Sequence, residues 1–178
     1  MKIAAALLAS LLLLPAPAHA LADWEEGAGD VITVAVPLTA LYIAWNDNEG
    51  RQQWLWSTGT GLAVNSALRY GLKDTEWSTR PNGNPYGFPS GHTGFVASGA
   101  AFLSERYGWR YGVPAWIATG YVAYVRVETE HHRWRDVIAG ALVAWGVSRI
   151  FVTPQGSLEA SPVIDEDQVG LRLKYRFT

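Results

Sequence analysis

The chain has 178 residues, 14 Lys and Arg against 16 Asp and Glu for a formal net charge of −2, and no cysteine. That length suits one domain. Disulfides, thiolate nucleophiles and cysteine metal sites are excluded, and the lack of a basic excess argues against a nucleic-acid partner.

In chain order, Met1-Lys2, an apolar run over 3–14 and Pro15-Ala16-Pro17-Ala18-His19-Ala20 read as a secretory signal peptide cleaved after Ala20. An uncleaved anchor is the alternative. The expected division is a signal peptide over 1–20, a helical domain over 21–152, and a linker with an amphipathic strand over 153–178. A bacterial cell envelope is the natural destination of such a leader.

After an acidic lead (Asp23, Glu25, Glu26, Asp30), Val31 to Trp45 predicts an apolar helix with a kink at Pro37. Asn46 to Gln53 reads as a polar loop, and Trp54 to Tyr70 as a second helix stopped by Gly71. A long polar loop follows, and a third helix runs from Gly91 to Tyr107, rich in the small residues that let helices approach closely. Tyr111 to Val125 and Val137 to Val152 are apolar nearly all round, as helices in a core or a membrane are. Thr153 to Asp167 reads as a linker. Val169 to Thr178 alternates as one amphipathic strand, with Ser161 to Ile164 the one visible candidate partner. A single strand cannot make a barrel. The fold class expected is all-α: a bundle of about five apolar helices with a short C-terminal β-strand tail.

Two polar islands interrupt the apolar pattern. In the first, Lys73 to His92, Lys73 and Arg80 supply cations and Pro89-Ser90-Gly91-His92 opens a helix. Ser90 can cap it, the free N–H groups of its first turn favour an anion, Gly91 admits a ligand close to the backbone, and His92 stands at the lip. Taken singly, Lys73 reads equally as a cation at a helix C-terminus, Ser90 as an ordinary cap and His92 as a structural histidine. The second island runs from Arg126 to Asp136. There His132 and Asp136, at i and i+4, share a helical face, so the carboxylate can hold one imidazole nitrogen and aim the other. His131 points away, and the pair alone could be a surface ion pair. Following the helices across the bundle and back brings the two islands to the same end. Three cations, a helix N-terminus and two histidines around one pocket are the parts of a phosphoryl transfer without metal.

Lys73-x6-Arg80-Pro81, Pro89-Ser90-Gly91-His92 and Arg126-x5-His132-x3-Asp136 stand in the order and spacing of the type-2 phosphatidic acid phosphatase superfamily, which the chain therefore resembles. The triple motif is highly specific, and the helical pattern extends the likeness over about Val31 to Val152. Val125 departs from the Ser often found before the Arg in that family. The resemblance implies a largely helical fold with His132 as nucleophile, Asp136 as its orienter and His92 as general acid. It further implies that Lys73, Arg80, Ser90, Gly91 and Arg126 bind phosphate, and that no metal or other cofactor is needed.

The leading function is a phosphatase acting on a lipid-linked phosphate or pyrophosphate, with the active site on the periplasmic side of the inner membrane. A peripheral or soluble periplasmic phosphomonoesterase is the alternative, since the apolar segments are short of the roughly 20 residues of a spanning helix and the mean hydropathy is +0.03. Two further classes are a metal hydrolase using His92, His131, His132 and Asp136, against which the cations of the pocket stand, and a non-catalytic phosphate-binding protein. The partners expected are a phosphorylated lipid or another phosphomonoester, and a membrane.

Overall fold

The structure is a computed structural model that describes residues 18–155, 158–165 and 168–175, with side chains over 23–155. The signal-peptide expectation falls chiefly on residues outside that description. Among the described residues five helices carry the fold: α1 Ala18–Ala44, α2 Asn48–Gly71, α3 Gly91–Tyr107, α4 Trp109–Glu128 and α5 Trp134–Phe151, with a 3₁₀ turn at Glu76–Ser78. This is the all-α bundle that the apolar periodicity predicts.

Two helix starts differ from expectation. The acidic lead is no lead, because α1 is helical from Ala18 and carries Glu26 and Asp30 on its surface. The loop expected over Asn46 to Gln53 is mostly the first turn of α2: Asp47 accepts a hydrogen bond from the Gly50 N–H at 3.0 Å and caps it. Polar residues there satisfy the orphan donors of a helix N-terminus, which a reading by hydrophobicity alone mistakes for loop.

Helix α3 is the axis of the bundle, and all four other helices pack on it. Its small residues make this possible. A Cβ on Gly99 would come within 2.7 Å of the Pro37 Cα on α1, so the two backbones all but touch. Gly94 faces Asn65 of α2, and a Cβ on Gly140 of α5 would lie 2.5 Å from the Ser90 carbonyl oxygen. Val96, Ala97, Ala100, Ala101 and Phe102 are fully buried. Full burial of a Phe or Val side chain is worth about 1.5–3 kcal/mol, so the axis that positions Ser90 and His92 is also a main source of stability.

The outer helices are different. They leave large apolar side chains in the open: Val34, Leu38 and Tyr42 on α1, Val113 and Ile117 on α4, Ile138, Leu142 and Trp145 on α5. Among the described residues, one helical segment, Asp23–Ala44, is long and apolar enough to cross a membrane by length and composition.

Beyond the bundle, β1 Leu158–Asp165 pairs antiparallel with β2 Gln168–Tyr175, setting Ser161 opposite Arg172 and Ile164 opposite Val169. Most of the expected linker is therefore a strand. Its Pro162 and the acidic residues Glu159 and Asp165 disguised it, although a two-stranded hairpin leaves one edge of each strand unpaired, where a proline costs no ladder hydrogen bond. Residues 176–178 of the expected strand lie outside the described residues.

Candidate active site

The two polar islands meet at one end of the bundle through backbone contacts. The Ser90 N–H donates to the Asp136 carbonyl at 2.9 Å and the Asn82 N–H to the Glu130 carbonyl at 3.3 Å, while within the second island the His132 N–H donates to the Arg126 carbonyl at 3.0 Å. Side chains of the second island reinforce the join. Arg135 donates to the Trp77 carbonyl at 2.9 Å and Arg133 to the Thr79 carbonyl, while the Arg135 guanidinium lies over the Trp77 ring.

Ser90 is the N-cap of α3 and is fully buried. Its Oγ accepts from the Thr93 N–H at 3.4 Å and its carbonyl from the Asn65 amide at 3.4 Å. It thus holds the start of α3 from both sides, and His92 enters on the first turn.

His132 is buried, and its Nδ1 lies 2.7 Å from the Gly87 carbonyl oxygen. A carbonyl can only accept, so Nδ1 carries the proton and Nε2 keeps a free lone pair. Burial, with Arg80, Arg69 and His92 adding like charge, lowers the His132 pKa from 6.5 to about 3, against the raising effect of the Gly87 bond. The ring is therefore neutral over the physiological range, which a nitrogen nucleophile requires.

Asp136 stands differently from expectation. It is fully buried, but its Oδ2 accepts from the Arg133 N–H at 2.8 Å and lies 3.9 Å from His132 Nδ1. It caps the first turn of α5 and stands beside His132 beyond hydrogen-bond distance, while the Gly87 carbonyl accepts the hydrogen bond from Nδ1.

His92 is half-exposed, and its Nε2 lies 3.5 Å from Asp30 Oδ1 on α1. Burial foremost, then Arg69, Arg80 and His131, push its pKa below the ordinary value, and Glu26 opposes them. Arg126 is 4% exposed and reaches the same carboxylate: its Nη2 bonds Asp30 Oδ1, its Nη1 lies 3.5 Å from Glu26 Oε1, and its buried Nε has no partner among the described residues. Arg80, whose pKa is lowered by burial and by Arg69, has a buried Nε in the same condition. Lys73 is the exception. It lies half-exposed on the turn after α2, and among the described residues its ion-pair partner is Asp74, 3.7 Å away. Among the described residues no three His, Asp or Glu are grouped so as to hold a metal ion.

A model of the PAP2 superfamily matches residues 3–156. The chain belongs to the PAP2 superfamily. A lipid A 4′-phosphatase of Helicobacter pylori (strain J99 / ATCC 700824) is 29% identical over 141 residues, covering 72% of this chain and 69% of the relative. No solved structure matches. In this PAP2 chain the departure at Val125 has a packing partner: the side chain is buried, and its Cγ1 would lie 3.4 Å from a Cβ on Gly29, next to Asp30. The apolar contact seats α1 against α4 and so helps to bring Asp30 to Arg126.

Four groups at the candidate site of this PAP2 chain escape the motifs. The Gly87 carbonyl is invisible because any residue carries one. Glu26 and Asp30 looked like a solvated lead, although their i, i+4 spacing puts them on one helical face. Arg69 sits on α2 one turn after Asn65, and the i, i+4 spacing that puts these two polar residues on one helical face was the available signal.

Proposed function

We propose that this chain is a metal-independent phosphatase that hydrolyses a lipid-linked phosphate through a phosphohistidine, with its active site on the periplasmic side of a bacterial membrane. The observation that carries this reading is His132, a buried neutral imidazole held by the Gly87 carbonyl, with Nε2 free and Arg80 and His92 close enough to act on it electrostatically.

In the first step the Nε2 lone pair forms the N–P bond as the P–O bond to the alcohol breaks, and His92 gives the departing oxygen its proton. Arg80, Arg126 and the N–H groups at the start of α3 stabilise the equatorial oxygens, Lys73 supplying a further cation at the mouth. The positive charge gained by His132 is balanced by Asp136, 3.9 Å away. In the second step His92, now neutral, takes a proton from water. The water oxygen bonds to phosphorus, and the P–N bond breaks to return the electron pair to Nε2.

A lipid substrate is supported by the relative named above and by the apolar flanks of α1, α4 and α5, which suit acyl chains better than water. Trp24, Trp77 and Trp134, near the site and exposed, have the amphipathic character of interfacial anchors. The leader-like N-terminus supports the periplasmic orientation.

The test is turnover of a phosphorylated lipid and of p-nitrophenyl phosphate side by side in EDTA, with acid-labile phosphate traced to a peptide. Activity in chelator, preference for the lipid and label on His132 are expected. Loss of activity in EDTA restored by a divalent cation, or label on His92, overturns the mechanism. Equal or better turnover of the soluble ester points to a phosphomonoesterase instead.

A further inference from the structure

The superfamily motifs begin at Lys73, yet the cation that lies against the anion-binding turn belongs to the helix before it. Asn65 on α2 bonds the Ser90 carbonyl. One helical turn on, Arg69 reaches the next residue of α3: a Cβ on Gly91 would lie 2.8 Å from Arg69 Nη1. The missing side chain at Gly91 therefore makes room for a guanidinium. Arg69 also lies over the ring of Tyr86, with its Cζ 6.0 Å from the centroid, and Tyr86 is braced edge-on by Tyr70.

Among the described residues, neither Arg69 nor Arg80 has a carboxylate partner. Two guanidinium groups near enough for Arg69 to lower the Arg80 pKa repel each other, and the arrangement is favourable only with an anion between them. Arg126 is different, because Asp30 and Glu26 already compensate it. We propose that Arg69 is a further phosphate-binding residue of this site, its guanidinium donating to a non-bridging oxygen of the phosphoryl group beside Gly91. This rests on the phosphatase reading and adds to it a cation outside the three motifs. Tyr86 and Gly91 hold Arg69 in place: one gives it a face to lie on, the other the space.

The same placement gives a second consequence. Arg69 is among the charges that lower the pKa of both His92 and His132. Removing it raises both pKa values, so both limbs of the pH–rate profile move to higher pH. A role in packing alone would leave that profile where it is.

The experiment compares wild type with Arg69→Gln, Arg69→Lys and Arg69→Ala. Inorganic phosphate and vanadate binding are measured by calorimetry, and turnover of p-nitrophenyl phosphate is measured across pH. Arg69→Gln is expected to weaken vanadate binding about 10²-fold and to lower turnover by about 10²- to 10³-fold, the usual loss for one preorganised donor. Arg69→Lys should retain part of each, and guanidinium ion added to Arg69→Ala should recover part of the turnover. Wild-type vanadate affinity with an unmoved pH profile in Arg69→Gln overturns the proposal, as does a loss matched by an equal fall in melting temperature and not relieved by guanidinium. The two readings fail separately. A wild-type chain that binds phosphate but hydrolyses no ester sinks the phosphatase reading and leaves the Arg69 comparison standing, whereas a wild-type chain that binds neither anion sinks the Arg69 site itself.

Discussion

Each end of the bundle buries one arginine to the same degree, and the two are used differently. At the far end from the candidate site, Arg106 at the close of α3 spends all three of its nitrogens on protein. Nε and Nη2 donate to Asp47 Oδ2 at 3.0 and 2.6 Å, and Nη1 donates to the Thr153 carbonyl at 3.0 Å and to Gln53 at 3.4 Å. That network ties α3 to the cap of α2 and to the chain leaving α5. Arg126, equally buried, meets only the half-exposed carboxylates of Glu26 and Asp30 and leaves Nε unpaired among the described residues. A satisfied buried guanidinium fastens; one that is loosely and partly satisfied can exchange its partner for a ligand. Substitutions at the Arg126 end should therefore change chemistry and spare the fold, and those at the Arg106 end should do the reverse.

The largest effect expected is at His132, the proposed nucleophile. His132→Ala should abolish phosphoenzyme and lower turnover by about 10⁴-fold or more, with the melting temperature close to that of the parent. Residual turnover within 100-fold would take the nucleophile away from His132. Next comes Arg126→Gln, which in the proposed mechanism removes a donor to the developing charge. A fall of about 10²- to 10³-fold in kcat is expected, again with little change in melting, because the carboxylates it leaves behind are hydrated.

Arg106→Met provides the contrast. It strands the mostly buried Asp47 carboxylate and should cost about 3 kcal/mol, the lower end for a broken buried pair, as read by denaturant unfolding in mild detergent. The folded fraction should keep its kcat/KM. A catalytic defect at this distance, with stability intact, would dissolve the division between the two ends.

The ends should also part in their response to acid. His132 has a folded-state pKa of about 3 against an ordinary 6.5. Between those values the unfolded chain binds a proton that the folded chain refuses. Stability is thus full above 6.5 and falls as pH drops through that window, by up to about 1.4 kcal/mol per pH unit. At the other end burial raises the Asp47 pKa, but the Gly50 N–H and Arg106 outweigh it and hold the carboxyl below 3.8. Its contribution is lost only at still lower pH. Unfolding curves from pH 7 to 4 should slope in the wild type and flatten in His132→Gln; an unchanged slope would assign the acid sensitivity elsewhere.

The smallest effect expected is at Asp30, whose carboxylate occupies Arg126 and His92 where the proposed mechanism puts substrate oxygens. Asp30→Asn should tighten phosphate binding by up to about tenfold, the scale of one exposed charge interaction. Weaker binding would instead mean that Asp30 holds Arg126 in position for the substrate.

The extent to which the chain could be read in advance follows the same physics. Helix periodicity and the stops at Gly71 and Gly108 are local properties, and they marked out five helices. Boundaries failed where polar residues belong to a helix for tertiary reasons, as with Asp47 capping α2 and with Glu26 and Asp30 turned toward Arg126. The two islands could be placed at one end because α3 and α4 cross the bundle and return. Lys73 shows the limit of that reasoning: it stands in the same loop as Arg80, yet its contact in the structure is Asp74.

By itself, then, the sequence determined the helical class, the absence of thiol chemistry and the membership of Arg80, Ser90, His92, Arg126, His132 and Asp136 in two clusters that can meet. All of this rests on composition, period and spacing along the chain. Tertiary structure alone decided that the Gly87 carbonyl rather than Asp136 makes the hydrogen bond to His132, that Asp30 bridges Arg126 and His92, and that Arg69 fills the space left open by Gly91. Those choices depend on which of several nearby groups comes within about 3 Å of another. Distances of that size are set by how closely α1 and α2 pack on α3, and so by glycines and alanines whose sequence positions name no partner.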